Sequence, residues 1–116
     1  MTPSEQYDVC IGLLRANQTS EAVASLKEIT EKFPDFPLAY NCLAAIYKKE
    51  NNIEAAIAAM EKYCAAEPDD PFGFSVLSAY CIEAGRREQA EEARGTAFEL
   101  RFRSQMSHSE NPPENQ

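Results

Sequence analysis

The sequence predicts an all-α fold of three stacked pairs of antiparallel helices, and two observations support this prediction. The first is a period of about 34 residues, which is typical of helix–turn–helix repeats. Residues separated by this step form matched sets: Pro3, Pro37 and Pro71; Ala22, Ala56 and Ala90; Asn17, Asn51 and Gly85; Leu43 and Leu77; Pro34 and Pro68. The second is the helical spacing of apolar residues within each copy. Because one helix pair cannot bury its apolar faces alone, about three stacked copies are the minimum for a stable core.

The first copy begins with a helix-capping pattern. In Thr2-Pro3-Ser4-Glu5 a threonine precedes a glutamate by three residues, and proline suits the first helical position. We expect this helix to run to about Ala16. Thr19 or Ser20 is expected to cap the second helix, and Phe33-Pro34 should end it because proline cannot continue a helix.

The second and third copies predict helices in the same order. In the second copy they cover about residues 37–50 and 53–66. In the third copy, Asp70 is expected to cap a helix that starts at Pro71.

Turn and core positions recur with the same period. Asn17, Asn51 and Gly85 stand where the first helix of each pair should end, and such a place favours a left-handed backbone conformation. Leu43 and Leu77 are predicted to be core residues.

The end of the third copy departs from the other two. Arg94 replaces the bulky apolar residue that Leu26 and Met60 provide. No proline closes this copy, so its last helix is expected to run to about Arg103. Residues 104–116 contain two prolines, two asparagines and no large aliphatic residue, and we interpret them as a disordered tail.

Signature positions of a known repeat family are matched in the second copy. The residue types required are bulky, bulky, small, bulky, small, bulky and proline, and the residues present are Tyr40, Leu43, Ala44, Tyr47, Ala56, Met60 and Pro68. Residues 1–103 thus resemble a domain of three tetratricopeptide repeats, over about residues 3–36, 37–70 and 71–103. The resemblance implies a right-handed superhelix of six helices and a non-catalytic role in binding segments of other proteins, as an adaptor or small chaperone. The alternatives are a self-associating scaffold and, more distantly, an enzyme.

In this family the first helices of the pairs line a concave groove. The resemblance therefore implies that a partner-binding surface is formed by Tyr7, Ile11, Arg15, Leu38, Asn41, Cys42, Lys48, Lys49, Phe72 and Val76. Leu14, Ala45 and Ala79 project to the same face, and we interpret them as helix packing.

The expected partner follows from the chemistry of this surface. Its apolar strip is flanked by Arg15, Lys48 and Lys49, so we expect a helix or extended segment with apolar anchors and some acidic residues. One subclass of the family clamps the carboxylate-ended tails of heat-shock chaperones with Lys, Asn and Arg side chains. The corresponding positions in this sequence hold Tyr7, Ile11, Cys42, Phe72 and Val76. None of these is Lys, Asn or Arg, so chaperone-tail binding is not predicted. The apolar lining is more similar to that of small secretion chaperones.

The charge balance excludes several classes of partner. With 11 Lys and Arg residues against 19 Asp and Glu residues, the chain has a net charge of −8. Binding to nucleic acid or anionic lipid requires clustered positive charge, so neither is expected. No apolar run reaches the roughly 18 residues of a membrane helix, and no secretory signal is recognised. A soluble cytoplasmic domain is the resulting expectation.

Neither catalytic residues nor a cofactor or metal site is predicted. The only histidine, His108, lies in the predicted tail, and no phosphate-binding glycine motif occurs. The cysteines are too far apart in sequence for a zinc site. They are interpreted as free core residues, with Cys42 as the exception that faces the groove.

Phe98 and Phe102 identify a further surface at the open end of the stack. One turn apart on the last helix, they form an apolar ridge that no later part of the sequence is expected to cover. We expect a weak homodimer through this ridge. The alternative is that the long final helix folds against the second repeat.

Overall fold

Six α-helices form the described part of the chain. The computed structural model describes residues 1–110, with side chains as far as Ser107. The helices are α1 Pro3–Arg15, α2 Thr19–Lys32, α3 Pro37–Lys49, α4 Ile53–Ala66, α5 Pro71–Glu83 and α6 Arg87–Glu110. Each packs extensively on the next one in sequence. The six helices therefore form three antiparallel pairs stacked as a solenoid, which confirms the predicted fold class.

Most helix starts are those that the sequence predicts. Thr2 and Glu5 form the expected capping box, and the Asp70 side chain accepts a hydrogen bond from the Phe72 N–H at 3.0 Å. The prediction that Thr19 or Ser20 caps α2 is wrong, because Gln18 is the N-cap residue and α2 begins at Thr19.

The turn before α2 explains this difference. Asn17 adopts a φ of 65°, and the Gln18 N–H donates to the Leu13 carbonyl at 2.9 Å. The chain enters α2 directly after this turn, and no side chain caps the start of the helix. The equivalent positions Asn51 and Gly85 have φ values of 62° and 78°, so all three predicted left-handed turns are confirmed.

The core lies between the helices at the positions that the period identifies. Leu43 and Leu77 are both buried, as predicted. Small residues occupy the close helix contacts and are buried too: Cys10, Ala22, Ala44, Ala56, Ser78 and Ala90. The one hydroxyl in this set, on Ser78, donates to the Ala90 carbonyl at 2.8 Å, so its burial leaves no unpaired polar group.

A close contact joins α4 to α5 at Gly73. A Cβ at this position would lie 2.6 Å from Cδ1 of Tyr63 and 3.1 Å from Sγ of Cys64. The equivalent positions of the preceding repeat hold Ile29 and Ala39, both fully buried. Tyr63 is larger than its counterpart Ile29, and Gly73 lacks the methyl group of its counterpart Ala39, so the two differences compensate.

Helix α6 is longer than the sequence predicts. The expected end near Arg103 is wrong, since the helix continues to Glu110. Residues 104–110 contain no glycine or proline, and Gln105 and Met106 are good helix formers. This part of the predicted tail is therefore helical, while residues 111–116 lie outside the described residues.

Candidate functional site

The predicted groove residues lie on the first helices of the pairs, α1, α3 and α5, and differ in exposure. Four are exposed: Arg15, Leu38, Lys49 and Phe72. Six are half-buried: Tyr7, Ile11, Asn41, Cys42, Lys48 and Val76. Of these, Tyr7, Cys42 and Val76 pack against the core. The apolar strip is therefore partly structural and partly available to a partner.

A depression between α1 and α3 brings two of the predicted residues together. Its volume is about 530 Å³, and Cys42 and Lys49 are among the residues that line it. Leu14 and Ala45 contribute to the apolar part of the lining. The depression is large enough to receive a side chain of a partner.

The interpretation of Ala45 and Ala79 as packing residues is wrong, because both are exposed. Each stands two positions after a core leucine, Leu43 or Leu77, and two residues turn the helix by about 200°. Leu14 does pack against the core, as interpreted.

Tyr7 and Cys42 are neighbours across the α1–α3 boundary. The Tyr7 ring meets the Phe36 ring edge to face, with centroids 5.9 Å apart. Burial raises the pKa of the Cys42 thiol above its usual value, and the neighbouring Tyr7 hydroxyl opposes this rise. Cys42 is therefore an accessible thiol but not an activated one.

Alkylation should distinguish Cys42 from the other three thiols. Cys10, Cys64 and Cys81 are buried, and burial raises the pKa of Cys64 to about 11. We expect N-ethylmaleimide to label Cys42 first, at a rate that increases with pH because the thiolate is the reacting form. Peptide mass spectrometry over a labelling time course measures this order. Equal or faster labelling of Cys64 or Cys81 would contradict the greater accessibility of Cys42.

The basic residues of the groove are not equivalent. The Lys48 Nζ lies 3.3 Å from Oε2 of Glu83, so α3 and α5 are joined by an ion pair at the surface. Arg15 and Lys49 make no salt bridge within residues 1–107. All three lie in the last turns of their helices, where positive charge also favours the helix dipole. Positive charge available to a partner therefore comes mainly from Arg15 and Lys49.

Leu38 and Phe72 form an exposed apolar pair along the groove. They occupy equivalent positions in successive repeats, each is the second residue of its helix, and each is about half exposed. The Phe72 ring meets the Tyr63 ring edge to face at 5.9 Å between centroids. The Tyr63 hydroxyl in turn donates to Oδ2 of Asp70 at 2.7 Å, so the ring beneath Phe72 is fixed.

Metal binding and membrane insertion are two further possibilities for the described residues. Residues 1–107 contain no group of three His, Cys, Asp or Glu residues placed to hold a metal ion. None of the six helices combines the length and the apolar character needed to span a bilayer.

The family model of the tetratricopeptide repeat matches residues 13–80, which is more than half of the chain. The chain belongs to the tetratricopeptide repeat family. Its coarse functional class is therefore that of a protein-interaction module.

One curated relative that this sequence matches is much longer than this chain. The beta-barrel assembly-enhancing protease of Yersinia pestis is 31% identical over 87 residues. The match covers 75% of this chain but only 18% of the protease. It therefore relates this tetratricopeptide repeat chain to a minor part of that enzyme.

Solved structures share the arrangement of helices. The MamA RS-1 ArsTM double mutant has a TM-score of 0.76 and 25% identity, covering 90% of this chain and 58% of that one. The Yersinia enterocolitica type III secretion translocator chaperone SycD, in an alternative dimer, has a TM-score of 0.71 and 14% identity. That likeness covers 92% of this chain and 85% of SycD and shows the fold alone.

Sequence reasoning missed part of the tetratricopeptide groove. The depression is also lined by Asn17, Thr19, Ile46 and Glu50. Asn17 is a turn residue, as predicted, but it also borders the depression. The signal that could have identified these residues is their place in the repeat, because the ends of the first helices of successive repeats lie side by side in a stack.

Proposed function

We propose that the concave surface of α1, α3 and α5 binds a helical or extended segment of a partner protein without catalysing a reaction. The observation that carries this proposal is that exposed apolar side chains and a depression with apolar lining occur together on these helices. Leu38 and Phe72 are exposed at the starts of α3 and α5, and Cys42 and Lys49, further along α3, line the 530 Å³ depression. A partner side chain of apolar character fits such a depression better than a small polar substrate does.

The partner segment should carry apolar anchors and acidic residues. Leu38 and Phe72 offer apolar contact at the start of α3 and α5. Arg15 and Lys49 supply uncompensated positive charge at the opposite ends of α1 and α3. A segment with acidic residues near one end would therefore be complementary to this surface, although the whole chain carries a charge of −8.

An adaptor or small-chaperone role agrees with the comparisons. SycD is described as a translocator chaperone, and it shares the fold over most of both chains. The relative from Yersinia pestis is described as a protease, but the match covers only 18% of its length. A catalytic role for this chain has no comparable support, because the groove holds no nucleophile paired with a base.

Peptide selection against the full chain tests the proposal. We expect 16-residue peptides selected from a random display library to be enriched in apolar residues at helical spacing and in Asp or Glu. Phe72→Ala should raise the Kd of a selected, fluorescently labelled peptide about 5- to 30-fold, because aromatic anchors carry much of the binding energy. Lys49→Glu should raise it about 3- to 10-fold. Lys49 is preferred to Lys48 because Lys48 is paired with Glu83.

Lys62→Glu provides a matched control for the charge change. Lys62 lies on α4 and lines a different depression with residues of α2 and α3, including Lys27 and Tyr40. Fluorescence anisotropy should therefore give a Kd within about twofold of wild type for this variant. Selection of no peptides, or of peptides whose affinity Phe72→Ala and Lys49→Glu leave unchanged, would refute the proposed groove.

A further inference from the structure

The outer side of α6 carries an exposed apolar ridge. It consists of Phe98, Phe102 and Met106, which are 69%, 53% and 45% exposed. The rings of Phe98 and Phe102 are stacked, with centroids 6.3 Å apart and planes inclined by 16°. Residues four apart lie along one ridge of a helix, so the three side chains extend over about 12 Å.

Nothing within residues 1–107 covers this ridge. The extensive contacts of α6 are with α5, and Nη2 of Arg101 donates to Oγ of Ser75 at 2.7 Å. That bond fixes α6 against α5, yet the ridge stays exposed. The alternative in which the final helix folds against the second repeat is thus not the arrangement observed.

A fourth helix pair stacked in the ordinary register does not suit this face. One repeat before Glu91 and Arg94, the equivalent positions on α4 hold Ile57 and Met60, which are buried in the core, and α4 is the helix on which α5 packs. Stacking another pair on α6 in that register would bury a carboxylate and a guanidinium at these places, which is costly without partners. The apolar surface begins one turn later, at Phe98.

A second copy of α6 suits the ridge better on two grounds. A ridge at four-residue spacing packs into the groove beside the same ridge of an identical helix, and a two-fold axis makes such a patch self-complementary. The helix is also electrically balanced, since residues 87–107 contain four basic and four acidic side chains. The Arg103–Glu99 pair, at 3.8 Å, is part of this balance. Two copies can therefore meet here without bringing together the net negative charge carried by the rest of the chain.

We propose that two copies of this chain associate through an antiparallel, two-fold symmetric contact between their α6 ridges. Phe102 lies near the axis, and Phe98 of each copy packs against Met106 of the other. An aromatic side chain buries about 150–250 Å² at most, so three side chains per copy fall short of the roughly 800 Å² per partner of a standard stable interface. The dimer is accordingly weak and reversible, with a Kd in the range of about 10 µM to 1 mM.

Multi-angle light scattering on the full chain tests this dimer. Between about 10 µM and 1 mM protein, the weight-average mass should rise from 12.9 kDa toward twice that value. Phe98→Glu with Phe102→Glu should hold the mass at 12.9 kDa throughout. Unchanged circular dichroism would show that this variant is folded, and Phe98→Ala with Phe102→Ala should raise the Kd without adding charge.

A double variant elsewhere distinguishes this ridge from other apolar surfaces. Val9→Glu with Leu38→Glu changes two exposed apolar residues on α1 and α3 in the same way and should leave the dimer intact. A wild type that stays monomeric at the highest concentration would overturn the proposal. So would a dimer that resists the α6 change or dissociates with the control change. Because the selected peptides probe the groove separately, either proposal can fail without the other.

Discussion

Cutting Leu43 or Leu77 to alanine is expected to lower the free energy of unfolding by about 2–5 kcal/mol, since each change removes buried atoms and leaves a cavity. The two side chains are only 5% and 7% exposed, and both belong to the continuous core between the helix pairs. Single domains are usually stable by about 5–15 kcal/mol, so either change removes a large share. Urea denaturation followed by far-ultraviolet circular dichroism measures the loss.

Leu38→Ala is the matched control for Leu43→Ala. It makes the same chemical change on the same helix, but the side chain is 48% exposed. We expect an effect within about 0.5 kcal/mol, as for most surface substitutions. Similar losses for Leu38→Ala and Leu43→Ala would mean that the buried face of α3 is wrongly assigned.

Adding a single methyl group at Gly73 is expected to destabilise the fold by about 1–3 kcal/mol, because it overpacks the contact between α4 and α5. The new Cβ would meet the Tyr63 ring at 2.6 Å. That ring cannot swing away easily, since its hydroxyl is bonded to Asp70 and the ring itself is in contact with Phe72. The loss should appear despite the better helix propensity of alanine, which favours the variant by up to about 1 kcal/mol.

Two double variants distinguish the effect of the Tyr63 ring from that of the Tyr63 hydroxyl on the stability lost in Gly73→Ala. Tyr63→Ile with Gly73→Ala recreates the Ile29 and Ala39 pair of the preceding repeat, so its loss of stability should be smaller than the sum of the two single losses. Tyr63→Phe with Gly73→Ala retains the ring but frees it from Asp70, so the relief should be smaller than that given by Tyr63→Ile. Denaturation of these variants measures the coupling directly.

Gly12→Ala and Gly95→Ala provide controls for helix propensity. Both glycines lie within helices, and a Cβ added to either has no neighbour within 4 Å. We expect each change to be neutral or to stabilise by up to about 1 kcal/mol. A Gly73→Ala variant that behaves like these two would show that the α4–α5 contact can relax at no cost.

The fold could be predicted from the sequence because the residues that determine it recur at a regular period. The repeat period identifies the buried leucines, the small residues at helix contacts and the three left-handed turns. It also compares each position with its counterparts, which is why Arg94 is recognised as unusual. The period also relates Gln18 to Asn52, the N-cap of α4, but side-chain capping preference favoured Thr19 or Ser20 and misplaced the N-cap of α2. The extension of α6 to Glu110 has no counterpart in the other repeats and was not predictable in this way.

The groove was less predictable than the core. Periodicity assigns a residue to a helix face, but it does not give the side-chain geometry between two helices. The ion pair of Lys48 with Glu83 and the compensation between Tyr63 and Gly73 both depend on such geometry. Whether a residue faces a partner or the adjacent helix is decided by these contacts, as Tyr7 and Cys42 illustrate.

The sequential packing of the six helices has a consequence for folding kinetics. Within the described residues, every extensive contact joins helices that are neighbours in the chain. Such short-range contacts favour rapid folding, because little loop entropy is lost before each contact forms. They also allow the outer helix pairs to open while the central pair stays folded. A segment bound across α1, α3 and α5 would link these units, so it should suppress the opening of the ends more than that of the centre.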